Sequence, residues 1–182
     1  MTIIIKPEWV TRAKGLQNKI FATGLRDTPN PTGLEAENRF VTGYVGEFCF
    51  QNILEQSGVR YEFQIKANGK SNEASEFTIW RQGKPFTVEV KTASQSWHKN
   101  FMFPKAQDWQ KADLYVGMRL VDSGNAFCHG YLLANEVSKL PVDTFPPQTI
   151  KTRYCPLEEM HPIGLVLALA DKKTLVPDVV QA

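Results

Sequence analysis

The sequence predicts a single domain of mixed α/β (α+β) class, with a central mixed β-sheet flanked by helices. Three observations lead there. Two long stretches of helically spaced apolar residues come first, over about 8–23 and 34–57. Short runs with strand-like alternation then follow one another between Tyr61 and Ala134, with turn signals between them. The chain is 182 residues long, which suits one domain with a sizeable core of its own. Helices that precede hairpins, with more helix after them, form the element order of a mixed sheet covered by helices. The core falls at about 34–135, with the N-terminal helix 8–23 and the segment 136–182 as additions.

Composition narrows the class further. Hydrophobic residues make up 42% and charged residues 22%, ordinary proportions for a globular protein. A net charge of +2 excludes a histone-like binder but leaves local basic clusters open as nucleic-acid contacts. Cys49, Cys128 and Cys155 are isolated and form no C-x-x-C pair, which argues against a zinc module and for a reducing compartment. Only three consecutive isoleucines open the chain, and no apolar run reaches the ~18 residues a membrane helix needs. The expectation is a soluble, cytoplasmic protein with no membrane partner.

The first helix starts at Pro7, a residue suited to the first turn, and stops before Gly24. Trp9, Val10, Ala13, Leu16, Ile20 and Phe21 form its apolar stripe. Lys6, Arg12, Lys14, Lys19 and Arg26 stand against the single acid Glu8, either as a solvated face or as phosphate contacts. The breaker cluster Asp27–Gly33 reads as a loop. A largely buried second helix follows to Ser57, closed by Gly58. Gly43 and Gly46 each cost about 1 kcal/mol there relative to Ala, which suggests close backbone approach beside Glu47. Glu47 itself reads either as a solvent-facing residue or as a functional carboxylate in an apolar neighbourhood.

Tyr61–Ile65 reads as a strand, and Ser75–Ser94 as a hairpin turning at Gln82–Gly83. That turn sets Phe77 opposite Val88, Thr78 opposite Thr87, Ile79 opposite Phe86, and Glu76 opposite Glu89. Opposed like charges destabilise an antiparallel pair. Two carboxylates placed so, with Lys91 on the same face, are explained by a bound divalent cation or by a surface salt-bridge ladder around Lys91.

The next segment mixes Lys99, Lys105 and Lys111 with Trp97, His98, Phe101, Phe103 and Trp109. Cations for phosphates and rings for bases are what a nucleic-acid groove requires, and the same mixture arises when a loop folds back over a core. Ala112–Leu120 and Ala126–Ala134 flank a turn and form a second hairpin, and a short capped helix begins at Asn135. Pro141–Pro156 reads as irregular surface chain, and Ile163–Ala170 as either helix or strand.

Gly46–Glu47 on a helix, an acid opening a strand at Glu76, and Glu89–Val90–Lys91 followed by Thr92 resemble the PD-(D/E)xK nuclease superfamily, whose fold is restriction-endonuclease-like. The resemblance covers about Gly43–Leu120, including a following strand that opens Ala112–Asp113–Leu114. It implies that Glu76 and Glu89 ligate Mg²⁺, or Mn²⁺ in its place, with the Val90 carbonyl facing the metal. It also implies that Lys91 orients or activates the attacking water and that Glu47 assists, through a metal-held water or a second metal position. The family usually carries Asp preceded by Pro where this chain has Ser75–Glu76.

The function expected is metal-dependent hydrolysis of phosphodiester bonds in DNA, by an endonuclease, with RNA as a lesser substrate. A homodimer is expected, since cutting both strands of a duplex often uses a two-fold pair of sites. The alternative, kept by Glu76 in place of Asp, is a nuclease-fold module that binds nucleic acid or a protein without cutting. His98, His129 and His161 have no zinc-hydrolase spacing, and no Walker, dinucleotide or Gly-x-Ser-x-Gly motif is present.

Overall fold

The computed structural model describes residues 1–22, 34–65, 76–94, 99–104, 112–144 and 151–173. The chain begins with strand β1 (Thr2–Ile4), then helices α1 (Pro7–Ala22) and α2 (Leu34–Gln56). Strands β2 (Tyr61–Phe63), β3 (Phe77–Arg81), β4 (Lys84–Ala93), β5 (Asn100–Pro104), β6 (Leu114–Leu120) and β7 (Asn125–Leu133) follow. Helix α3 (Ala134–Val137), strands β8 (Val142–Asp143) and β9 (Thr152–Pro156), a 3₁₀ turn (Leu157–Glu159) and helix α4 (Ile163–Leu169) complete the described chain.

A six-stranded sheet runs in the order β1-β7-β6-β4-β3-β2 and is mixed, because β4 and β6 are parallel while the other neighbours are antiparallel. Alternation along β4 sends Val88 and Val90 to one face, where they join Val116, Met118, Phe48, Phe50, Ile53 and Leu54 in the larger core. The opposite face carries a second core of Phe101, Phe103, Tyr115, Leu132, Cys155, Leu157 and Met160, beneath a three-stranded sheet β5-β9-β8. Helix α2 is buried all round from Tyr44 to Phe50, which accounts for its lack of a polar stripe there. It ends where the Gly58 N–H bonds to the Glu55 carbonyl and the Val59 N–H to the Leu54 carbonyl, with φ +63° at Gly58, a Schellman stop.

The β3–β4 hairpin has the register expected from Phe77–Val88 to Arg81–Lys84. Gln82 and Gly83 take φ values of 52° and 74°, the positive pair of a type I′ turn. Asp171 reaches back to this turn, its carboxylate accepting the N–H groups of Gln82 and Gly83 at 2.7 and 2.8 Å. The parallel register of β4 and β6 is anchored by Asp113, which accepts both the Thr87 N–H at 2.8 Å and the Thr87 hydroxyl at 2.7 Å.

Several expectations are corrected. Thr2–Ile4, for which the sequence suggests no element, forms β1, paired with β7 at Thr2–Phe127. The segments read as loop contain β5, β8 and β9, and α4 resolves the ambiguity of Ile163–Ala170 in favour of helix. Phe101 and Phe103 are buried in the second core, so they are packing residues and not bases' stacking platforms. Among the described residues no helix is long and apolar enough to cross a membrane.

Candidate active site

Three elements converge on β4. Glu89 and Lys91, two apart on a strand, share one face, and the Lys91 Nζ contacts Glu89 Oε1 directly. Their side chains are 16% and 28% exposed, half-buried but open to solvent. In the parallel ladder Glu89 lies beside Tyr115 and Lys91 beside Gly117.

Glu76 is corrected in detail. The hairpin ladder ends at the Phe77–Val88 pair, and Glu76 is a bend whose carbonyl accepts the Gln64 N–H. Its side chain does not stand opposite Glu89 in the ladder. Instead its Oε2 accepts the Val90 N–H at 2.6 Å. A carboxylate thus takes the place that a backbone carbonyl of β3 would fill, beside the middle residue of Glu89–Val90–Lys91. The N–H and C=O of one strand residue point to the same edge, so the Val90 carbonyl also faces this end of β3.

Glu47 comes from α2 and is buried, at 9% exposure. One turn earlier, the Tyr44 hydroxyl is pushed up to about 12, by burial first and then by the charges of Glu47 and Glu76. The helix acid and the bend acid therefore act on one buried phenol. Gly46 explains how α2 comes this close: a Cβ there would lie 2.9 Å from both Cβ and Cγ2 of Thr92. The expected close approach holds at Gly46; at Gly43 a Cβ would meet nothing within 4 Å.

Carboxylate and carbonyl oxygens are the donor chemistry of a hard cation and not of zinc's nitrogen and sulfur sites. Among the described residues no three His, Cys, Asp or Glu side chains group closely enough to hold a metal between them. Mg²⁺ typically needs only one or two carboxylates beside waters and substrate oxygens, and Glu76, Glu89 and the Val90 carbonyl are donors of that type.

Of the residues expected to meet nucleic acid, Lys99 is exposed just before β5. Trp97, His98, Lys105 and Lys111 lie outside the described residues. Sequence reasoning missed Tyr44 as a phenol raised by both acids and Thr92 as the contact for Gly46. Helical spacing put Tyr44 and Glu47 three apart, a signal that was available. The chain matches no protein-family model, and no curated protein is similar to it in sequence.

Proposed function

We propose that this chain is a Mg²⁺-dependent nuclease with a restriction-endonuclease-like core of the PD-(D/E)xK type, hydrolysing phosphodiester bonds in DNA as an endonuclease. The observation that carries the reading is the Glu76 carboxylate on the Val90 N–H, which joins the upstream acid to the Glu89–Val90–Lys91 strand. The buried Glu47 beside Gly46, packed on Thr92, supports it from the helix side.

In this reading Glu76, Glu89 and the Val90 carbonyl would hold the cation, with Glu47 as the assisting acid. Mg²⁺, when bound, supplies polarisation of a phosphoryl oxygen and a lower pKa for a nearby water. Lys91 exchanges its contact with Glu89 for a phosphate oxygen or the attacking water, which its ammonium orients as a compact donor. Water adds to phosphorus, one P–O ester bond breaks, and the proton lost by the water is balanced by one taken up at the leaving oxygen. Tyr44, its hydroxyl held protonated, remains a hydrogen-bond donor beside the acids at neutral pH.

The test is incubation with plasmid, single-stranded DNA, branched DNA and RNA, in Mg²⁺, Mn²⁺ or EDTA. Cleavage that needs the metal, and that falls at least ~10²-fold in Lys91→Ala and Glu89→Gln while binding persists, is the expected result. No cleavage of any substrate with either metal sinks the enzyme reading, and unchanged cleavage by Lys91→Ala removes the mechanism. The second reading, a binding module of the same fold, is favoured by the direct Lys91–Glu89 contact, which closes the pair on itself. A homodimer that spans a duplex belongs to the first reading and is checked by sedimentation with DNA.

A further inference from the structure

A cleft of about 530 Å³ opens beside the ends of β5, β6 and β7, lined by Lys99, Asn100, Arg119, His129 and Glu158 among others. It is distinct from the carboxylate cluster but lies on the same face of the large sheet as Lys91. In the parallel ladder Lys91 is level with Gly117 and Ala93 with Arg119, so Arg119 is one strand over and two residues further along. At ~3.3 Å per residue and ~4.8 Å between strands, the Arg119 Cα is about 8 Å from that of Lys91.

We infer that this cleft is a subsite for the phosphate of a nucleotide in the nucleic-acid strand, flanking the phosphodiester that the acids and Lys91 address. The identity of the strand rests on the nuclease reading; the phosphate chemistry rests on the cleft itself.

Two cations, Lys99 and Arg119, face one carboxylate, Glu158, leaving a net charge of one to match a phosphodiester. Asn100 adds an amide that both donates and accepts. His129 is delivered by a break in register: Gly117 pairs with Gly130 but Met118 pairs with Cys128, so His129 is the extra residue of a bulge. Bulges re-aim side chains, and this one turns an imidazole to the cleft wall while Cys128 stays in the opposite core. The His129 Nε2 is buried with no hydrogen-bond partner among the described residues, an arrangement that a ligand oxygen would satisfy. Burial first, then the Arg119 guanidinium and the N-terminal ammonium, push His129 down to about 4. The ring is therefore neutral at pH 7 and adds a hydrogen-bonding group without a third positive charge. The volume exceeds the needs of a bare phosphate and falls in the range of sites for whole small ligands, which favours a phosphate with its nucleoside.

Binding in EDTA tests this apart from cleavage. A labelled 12-nucleotide DNA is titrated by fluorescence anisotropy across a salt series, with the His129 ring signals followed by NMR. Lys99→Gln and Arg119→Gln are expected to weaken binding ~5–10-fold and to lower the salt slope by about one each. Glu158→Gln, which removes the opposing charge at an exposed position, is expected to tighten binding ~3-fold. The His129 signals should shift with the DNA. A mononucleotide that shifts them as tightly as the 12-mer keeps the phosphate subsite and assigns it to free nucleotide. DNA that binds while the His129 signals stay still and Lys99→Gln and Glu158→Gln change nothing overturns the subsite, as does no binding at all. Lys99-dependent binding without cleavage in Mg²⁺ supports the subsite and counts against the nuclease reading; cleavage with Lys99-independent binding does the reverse.

Discussion

The Glu76 carboxylate accepts a 2.6 Å hydrogen bond from the Val90 backbone, which makes one acid both the terminus of a strand ladder and a neighbour of the Glu89–Val90–Lys91 run. Removing it should therefore be felt twice. Glu76→Ala leaves the Val90 N–H without its partner, a loss of about 1–3 kcal/mol for a partly buried donor. Cleavage should also fall ~10²-fold or more in the proposed mechanism. Urea denaturation checks the first effect and plasmid nicking the second; a fully stable variant would show that the hydrogen bond contributes nothing.

Gly46 and Gly43 should respond in opposite senses to the same change. Gly46→Ala gains about 1 kcal/mol of helix propensity, but its Cβ is driven into Thr92, and overpacking of this kind costs about 1–3 kcal/mol. The expected net is a less stable protein with α2 and Glu47 displaced. Gly43→Ala meets nothing within 4 Å and should stabilise by up to about 1 kcal/mol. Thermal denaturation of the two variants side by side decides it.

Asp171 clasps the Gln82–Gly83 turn from a segment far along the chain. Asp171→Ala should cost about 1–2 kcal/mol, since two hydrogen bonds to one charged, partly exposed acceptor are lost. Amide hydrogen exchange should rise at Gln82 and Gly83 before it rises in β6. Unchanged protection there would mean that the type I′ turn holds itself.

His129 should make the protein sensitive to mild acid. Its folded-state value is near 4, below the ordinary 6.5, so between these two values the unfolded chain binds a proton that the folded chain refuses. Stability therefore falls as pH is lowered from about 6.5 towards 4, and above 6.5 the group contributes no pH dependence. His129→Gln should flatten this part of the stability–pH curve. A curve of identical slope in the variant would show that other groups cause the acid sensitivity.

Much of this was legible from residue order. The helix from Pro7, the stop at Gly58 and the pairing of Phe77 with Val88 rest on local rules, because φ preferences and two-residue periodicity act within a few positions. The short strands were not legible. Three residues in β1 or two in β8 carry no periodic signal and exist because a distant strand offers them a ladder. Phe101 and Phe103 could have served a groove or a core with equal local logic, and only the covering sheet of β5, β9 and β8 put them inside.

The hairpin shows the division most clearly. By itself the sequence determined that Glu89 and Lys91 share a face and that Gln82–Gly83 turns the chain, since strand alternation and positive φ are properties of a few adjacent residues. Only the tertiary structure decided what Glu76 does. Its ladder ends one residue earlier, and a backbone N–H left at that edge must find a partner, so the carboxylate turns to Val90 rather than facing Glu89. The approach of α2 to β4 was likewise settled by packing, because the helix can sit that near only where Gly46 leaves room for Thr92.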